Sequence, residues 1–283
     1  MLKTRIITAL VLLAVLLPAL FAASTLPFAL LTLLLIGAAA WEWARLNGVT
    51  GAPAIAFGLA VAAGAWTSHL AFGMQAPLAA LWWLAALVWV AGGAYALRAG
   101  PSRWPQVSKL LRMVLGALVL VAAWAAMLQA KTVGVNFLLS IFCLVWMADI
   151  AAYFGGRAFG RRKLAPTISP GKSWEGVWSG MLGVMVLAFF WAFYIDSHMN
   201  VDSPSLYQLL LRTQNLAMGL LGLLLLSGMS VVGDLFESLL KRAVGAKDSS
   251  QLLPGHGGVL DRVDALLPVF PIALALTSLS LLP

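Results

Sequence analysis

Apolar residues run along this chain in stretches too long for the buried stripe of a soluble helix and too long for a strand. A helix needs roughly 20 mostly apolar residues to cross a bilayer core about 30 Å thick. Runs of that kind lie at 5–22, 26–46, 53–74, 78–98, 110–130, 134–153, 174–194, 214–240 and 262–283. Short polar segments rich in Gly, Pro, Lys and Arg separate them. The pattern predicts an all-α polytopic membrane bundle of about nine transmembrane helices, with no soluble domain, low-complexity tract or short-period repeat. The chain reads as one integral membrane domain over 1–283, with N-terminal helices in 1–130 and the helices and loops that carry the chemistry in 131–283. The first run, after MLKTR, is similar to a secretory signal but lacks a convincing cleavage site, so it is expected to be a retained helix.

Composition agrees with the pattern. With 62% hydrophobic and 10% charged residues and a mean hydropathy of +0.95, the chain cannot cover a water-soluble globule. A single cysteine, Cys143, excludes a disulfide framework and a cysteine metal cluster. The net charge of +8 would suggest nucleic acid in a soluble protein, but in a membrane protein it reflects basic loops. With the N-terminus in the cytoplasm, the loops on that side hold Lys3, Arg5, Arg45, Arg98, Arg103, Lys109, Arg112, Arg157, Arg161, Arg162, Lys163, Lys172, Lys241, Arg242, Lys247 and Arg262. Only Lys131 and Arg212 fall outside. That asymmetry predicts an N-in, C-out topology and leaves no reason to invoke nucleic acid.

The acids change the picture further, because seven of the ten lie near the same side of the last four runs: Asp149, Glu175, Asp234, Glu237, Asp248, Asp261 and Asp264. An acid in or beside an apolar span is costly unless it is paired or binds a cation. In GDLFESLLKR the spacing puts Asp234, Glu237, Ser238 and Lys241 on one helical face. Asp261 and Asp264 are three apart and share another face, and Asp149 and Tyr153 a third. Carboxylates converging from separate helices suit a hard cation such as Mg2+, which usually arrives with substrate phosphates.

The loops supply the opposite charge. GGRAFGRRKLAPTISPGKSWEG carries five basic residues among glycines and prolines, and its SPGKSWEG can start a helix near Ser173. Arg forks, Lys ammoniums and a helix start all suit phosphate. GKS at 171–173 is not a Walker loop: the glycine needed five residues earlier is Pro166, and no strand is expected before it. In PGHGGVLDRVD, Gly255, Gly257 and Gly258 clear space around His256 and let backbone amides approach a ligand. His256 reads as a base, a metal ligand or a hydrogen-bond donor, whereas His69 and His198 read as structural or solvent-facing.

Taken together, Ser238, Leu240, Lys241, Arg242, Lys247, Asp248, Ser250, Leu253, Pro254, His256, Gly257, Gly258, Asp261, Arg262 and Asp264 resemble the signature of phosphatidate cytidylyltransferases of the prokaryotic type. DIAAYFGGRAFGRRKLAPTISPGKSWEG is similar to the segment that precedes it in that family. The resemblance is specific over about the last half of the chain. It implies transfer of the cytidylyl group of CTP to phosphatidate, giving CDP-diacylglycerol and pyrophosphate, with Mg2+, room for a second cation, and a homodimer; the scarcity of outer loop and the bacterial style of the basic loops predict a bacterial inner membrane. On that implication the metal ligands are Asp234 and Asp261 first, then Asp149, Asp248 and Asp264. Arg157, Lys172, Ser173, Ser238, Arg242, Gly257, Gly258 and Arg262 hold substrate phosphates, and Lys241, Lys247 and His256 complete the catalytic set. The lipid phosphate is largely ionised near neutral pH, which relieves His256 of the base role.

Two competitors fit less well. A cation-coupled transporter places its acids near the membrane midplane on broken helices, not beside basic loops at one end. A CDP-alcohol phosphatidyltransferase is expected to carry aspartates separated by three residues, whereas DRVD separates them by two.

Overall fold

The computed structural model describes residues 2–72, 79–212 and 215–278. The chain runs through α1 (Leu2–Phe21), α2 (Leu26–Leu46), α3 (Ala52–Phe72) and α4 (Ala79–Leu87), which passes through a wide turn at Val88–Gly92 into α5 (Gly93–Ala99). There follow α6 (Lys109–Val133) and α7 (Val135–Phe159), a hairpin of β1 (Lys163–Ala165) and β2 (Ser169–Ser173), and α8 (Trp174–Phe190). The short α9 (Asp196–His198) and α10 (Leu206–Arg212) lead to α11 (Leu216–Ala243), α12 (Leu260–Val263) and α13 (Leu266–Ser278). Among the described residues, eight helical segments are long and apolar enough to cross a membrane. The ends of the expected runs at 73–74, 78, 214 and 279–283 lie outside the described residues.

The ninth expected run takes a different form from the others. It breaks after α12, and the described part of α13 is 13 residues, about 20 Å of helix. From Leu266 through Ala275 every residue is buried. Helix α13 packs against α4, α6, α7, α10 and α11, so it forms the axis of the bundle rather than its wall. An all-round apolar helix of that length is what a core position demands.

Helices α7 and α8 approach most closely where side chains are smallest. A Cβ on Gly155 would lie 1.9 Å from Ser179 Oγ, and one on Gly180 would lie 2.8 Å from the Ala148 carbonyl. Such small-residue seams are how helices associate in lipid, where the hydrophobic effect gives no help. At its start α7 is capped from the 200s loop: Asp202 accepts from the N–H groups of Val135 (2.6 Å) and Asn136 (2.9 Å), and Ser203 Oγ accepts from Phe137 N–H (3.2 Å). These satisfy the orphan donors of the first turn.

The hairpin departs from the all-helical expectation. Lys163 pairs with Ser173 and Ala165 with Ser169, antiparallel, around a turn at Pro166 and Thr167. Proline cannot continue α7 and favours the turn. The GKS residues therefore end a strand that sequence reading did not foresee, and Ser173 caps α8 by accepting from Gly176 N–H. Glu175 accepts from the N–H groups of Arg161 and Arg162, which fastens the α7–β1 turn to the start of α8.

Candidate functional site

The hairpin carries Lys172 across to α11, where its Nζ lies 2.6 Å from Asp234 Oδ2. Around that pair lies a cavity of about 490 Å³ lined by Asp149 and Tyr153 from α7, Arg157 at its end, Lys172 and Ser173 from β2, and Asp234 from α11. Ser238 Oγ donates to the other oxygen of Asp234 at 3.4 Å. Gly233 sets the depth of α11 here. A Cβ on it would sit 2.4 Å from the Asp264 carbonyl oxygen, so only glycine lets α11 touch the α12–α13 junction. Asp264 is thereby brought beside Asp234. Burial first, then the carboxylate of Asp234 and more weakly that of Asp149, outweigh the Ala265 N–H and Lys172 and push Asp264 up to about 8.

Two turns beyond Asp234 on α11, Lys241 is shared between Glu237 on its own helix and Asp261 Oδ1, 2.6 Å away. The other oxygen of Asp261 accepts from Ser249 N–H (3.0 Å), Ser249 Oγ (2.9 Å) and Gly258 N–H (2.8 Å). Burial opposes ionisation of Asp261, but Glu237, Lys241 and these N–H groups outweigh it and hold the carboxyl well below its ordinary range. Gly257 has φ +82°, and a Cβ there would meet Asp261 Oδ2 at 2.8 Å, so this turn closes over Asp261 only with glycine.

A second polar cavity, about 510 Å³, lies on the far side of the 247–258 loop, lined by Arg5, Lys247, Asp248, Ser250, His256, Gly257 and Arg262 among others. Arg262 donates to the His256 carbonyl at 2.7 Å, and His256 Nδ1 is buried without a hydrogen-bond partner. Helix α1 closes one wall, with Thr8 Oγ1 donating to the Pro254 carbonyl at 2.9 Å. A third cavity, about 400 Å³, lies behind α11 around Trp43, Trp89, Trp104 and Phe236, and its wall is apolar except for Arg103, Gln106 and Tyr95. It offers no convergent acids.

Two polar cavities thus gather the charged side chains: Arg157 and Lys172 with Asp149 and Asp234 in the first, and Arg5, Lys247 and Arg262 with Asp248 in the second. The model of the Cytidylyltransferase family matches residues 3–280. This chain belongs to the cytidylyltransferase family. It is 42% identical over 283 residues to a phosphatidate cytidylyltransferase of Pseudomonas aeruginosa, covering 98% of this chain and 97% of that protein. A phosphatidate cytidylyltransferase of Haemophilus influenzae is 49% identical over 138 residues, 49% of this chain and 44% of that protein. One from Thermotoga maritima is 40% identical over 135 residues, 48% of this chain and 46% of that protein. The family match takes in the N-terminal helices, beyond the half of the chain whose motifs carried the resemblance.

Within this cytidylyltransferase fold the expected residues divide into neighbourhoods. Asp149, Arg157, Lys172, Ser173 and Asp234 line the first cavity, and Lys247, Asp248, His256, Gly257 and Arg262 line the second. Asp261 and Lys241 pair with each other and line neither cavity, and Ser238 and Asp264 border Asp234. Arg242 is turned toward backbone, donating to the carbonyls of Ile168 and Ala246. Gly258 is buried beside Ser249. His69 packs between Trp66 and Trp124, and His198 stacks on Tyr194, away from both cavities.

Sequence reading missed two residues. Arg5 was counted only as a topological charge, yet it lines the second cavity. Glu42, fully buried on α2, was passed over, although a lone acid in the apolar run AAAWEWARL is itself a signal. It accepts from Ser249 Oγ (3.0 Å), Ser250 Oγ (2.5 Å), Val259 N–H (2.9 Å) and Leu260 N–H (2.6 Å).

Proposed function

We propose that this protein transfers the cytidylyl group of CTP to phosphatidate, giving CDP-diacylglycerol and pyrophosphate, as the names of its relatives indicate. A phosphate oxygen of phosphatidate attacks the α-phosphorus of CTP. That P–O bond forms as the bond to the bridging oxygen breaks, and the electron pair leaves with pyrophosphate. No strong base is required, because the lipid phosphate has a second pKa near ~6. The chemistry needs two anions brought together and a leaving group kept in place. The observation that carries the reading is the pair of polar cavities, one lined by Arg5, Lys247 and Arg262 with Asp248 and the other by Arg157 and Lys172 with Asp149 and Asp234.

In this reading Lys247, Arg262 and Arg5 bind the triphosphate in the second cavity, with His256 donating a hydrogen bond. Lys172 and Arg157 neutralise the lipid phosphate in the first. Lys241 steadies Asp261. Gly257 and Gly258 let backbone amides near the nucleotide. The acyl chains stay in the bilayer, so the lipid is never extracted.

The donor types fit a divalent cation, although among the described residues no three acids or histidines are gathered closely enough to hold one as they stand. The carboxylates of Asp234 and, less strongly, the exposed Asp149 repel that of Asp264, a repulsion that a cation would relieve. Asp234 and Asp261 each hold a lysine ammonium 2.6 Å from one oxygen. Asp234, Asp261, Asp264 and Asp149 would hold Mg2+, which supplies charge neutralisation between the anions when bound. Asp248 faces the other cavity and would serve a second ion there. A homodimer in a bacterial inner membrane, with the site on the cytoplasmic side, belongs to the same proposal.

Purified protein in detergent, given phosphatidate, Mg2+ and each of CTP, ATP, GTP and UTP, is expected to release pyrophosphate with CTP alone and only with lipid present. Asp234→Asn is expected to lose that turnover. Absence of turnover with every nucleotide, in folded protein, sinks the proposal.

A further inference from the structure

We infer that Glu42 is a positioning residue that sets the register of the 249–261 loop, and with it the placement of Asp261. The inference rests on the cytidylyltransferase reading and deepens it by carrying the site into the N-terminal helices.

Both oxygens of Glu42 face backbone donors. Val259 N–H reaches Oε1 and Leu260 N–H reaches Oε2, while the hydroxyls of Ser249 and Ser250 add one contact to each. A backbone N–H can only donate, so both atoms must accept, and among side chains of this length only a carboxylate does that. Glutamine is close to isosteric but fails: whichever way its amide is turned, the NH2 group meets an N–H.

The loop that Glu42 grips is the one that holds Asp261. Ser249 Oγ lies 3.0 Å from Glu42 Oε2 and 2.9 Å from Asp261 Oδ2, so its one proton is shared between the two carboxylates. Gly258 N–H donates to Asp261, and the next amide, Val259, donates to Glu42. A Cβ on Gly258 would lie 2.4 Å from Glu42 Oε1, so the loop lies directly on the carboxylate. Displacing the loop from Glu42 therefore moves the donors that orient Asp261.

Glu42 itself stands on a rigid element. The adjacent Trp43 donates to the Arg112 carbonyl at 3.0 Å, and its ring stacks on Phe236 of α11, centroids 6.0 Å apart. One helix thus ties the loop to the helix that carries Asp234. Support of this kind, from a side chain that does not touch substrate, typically controls metal affinity or activity by about 10- to 100-fold.

The test measures full-length wild type, Glu42→Gln and Ser250→Ala in detergent, with CTP, phosphatidate and titrated Mg2+. Wild-type turnover establishes the underlying reading, and its absence defeats that reading rather than this one. For Glu42→Gln the Mg2+ half-saturation and the KM for CTP are each expected to rise about tenfold or more, with kcat at saturation falling less. Ser250→Ala is expected to shift both modestly in the same direction, and the double variant Glu42→Gln/Ser250→Ala, measured beside them, is expected to match Glu42→Gln alone, because both substitutions act on the same contact. A merely structural role would lower the melting temperature or the active fraction and leave KM and Mg2+ half-saturation at wild-type values, and that result overturns the inference. Should Glu42→Gln yield no folded protein, Ser250→Ala decides: a raised Mg2+ half-saturation supports positioning, and an unchanged one overturns it.

Discussion

Lys172 Nζ stands 2.6 Å from Asp234 Oδ2, joining a hairpin between two membrane helices to a third helix 62 residues further along. The ammonium neutralises the carboxylate that the proposed function gives to a cation. Removing it frees the carboxylate while depriving the cavity of a phosphate partner. Lys172→Met is therefore expected to raise the KM for phosphatidate by roughly tenfold or more while the Mg2+ half-saturation stays level or falls. Asp234→Asn, which removes a carboxylate proposed to hold the cation, is expected to cost about 100-fold or more in kcat. Initial rates over a grid of lipid and Mg2+ concentrations distinguish the two.

The contact between Gly233 and the Asp264 carbonyl makes a sharp steric prediction. Gly233→Ala forces α11 from the α12–α13 junction, at a cost of about 1–3 kcal/mol for overpacking, and moves Asp234 away from Asp264. Its melting temperature and activity are both expected to fall. Gly228→Ala on the same helix meets only Met181 Cε at 3.7 Å and is expected to retain both. Thermal unfolding with turnover on the two variants checks the pair.

Asp264 makes the fold pH-sensitive when no divalent cation is bound. Its pKa is about 8 in the folded protein and near 4 in an unfolded chain, so the folded state holds the extra proton between those values. The stability this contributes is complete below about pH 4 and is lost as the pH rises through about 8. In chelator, the melting temperature is expected to decline from pH 6 to 9, and Asp264→Asn is expected to flatten that decline. Added Mg2+ should restore stability most at the alkaline end.

Asp202 behaves oppositely. Burial disfavours its charge, but the N–H groups of Asn136 and Val135 outweigh that and hold its pKa below the ordinary value. Stability from this cap is present above the unfolded carboxylate range and is lost as the pH falls through the lower folded value. Asp202→Asn is expected to lower the melting temperature at neutral pH, with the difference from wild type shrinking at acid pH. Losing such a cap costs about 0.5–2 kcal/mol.

Local chemistry was readable where neighbours in sequence are neighbours in space. Ser173 caps α8, and the 3–4 spacing on α11 places Asp234 beside Ser238 and Glu237 beside Lys241. The stripe nevertheless serves two partners, Lys172 at one end and Asp261 at the other, and periodicity carries no record of which loop comes to which end. The hairpin escaped notice because two short strands give too few alternating positions to stand out from a basic loop. Glu42 and Ser250 are 208 residues apart, so their contact had no local trace beyond the oddity of one acid among alanines and tryptophans. Continuous apolar length located the spans but could not tell a helix that faces lipid from α13, which faces only protein.

That central helix has a bearing on how the protein is made. Helix α13 follows both site loops in the chain, yet it is the element around which α4, α6, α7, α10 and α11 close. During synthesis the helices that bear Asp149 and Asp234 must wait in the membrane, with their inner faces unfilled, until the axis arrives. The candidate site is thus assembled by the last described helix to emerge, and a nascent chain stalled before residue 266 carries the acids proposed for catalysis without the packing that aligns them.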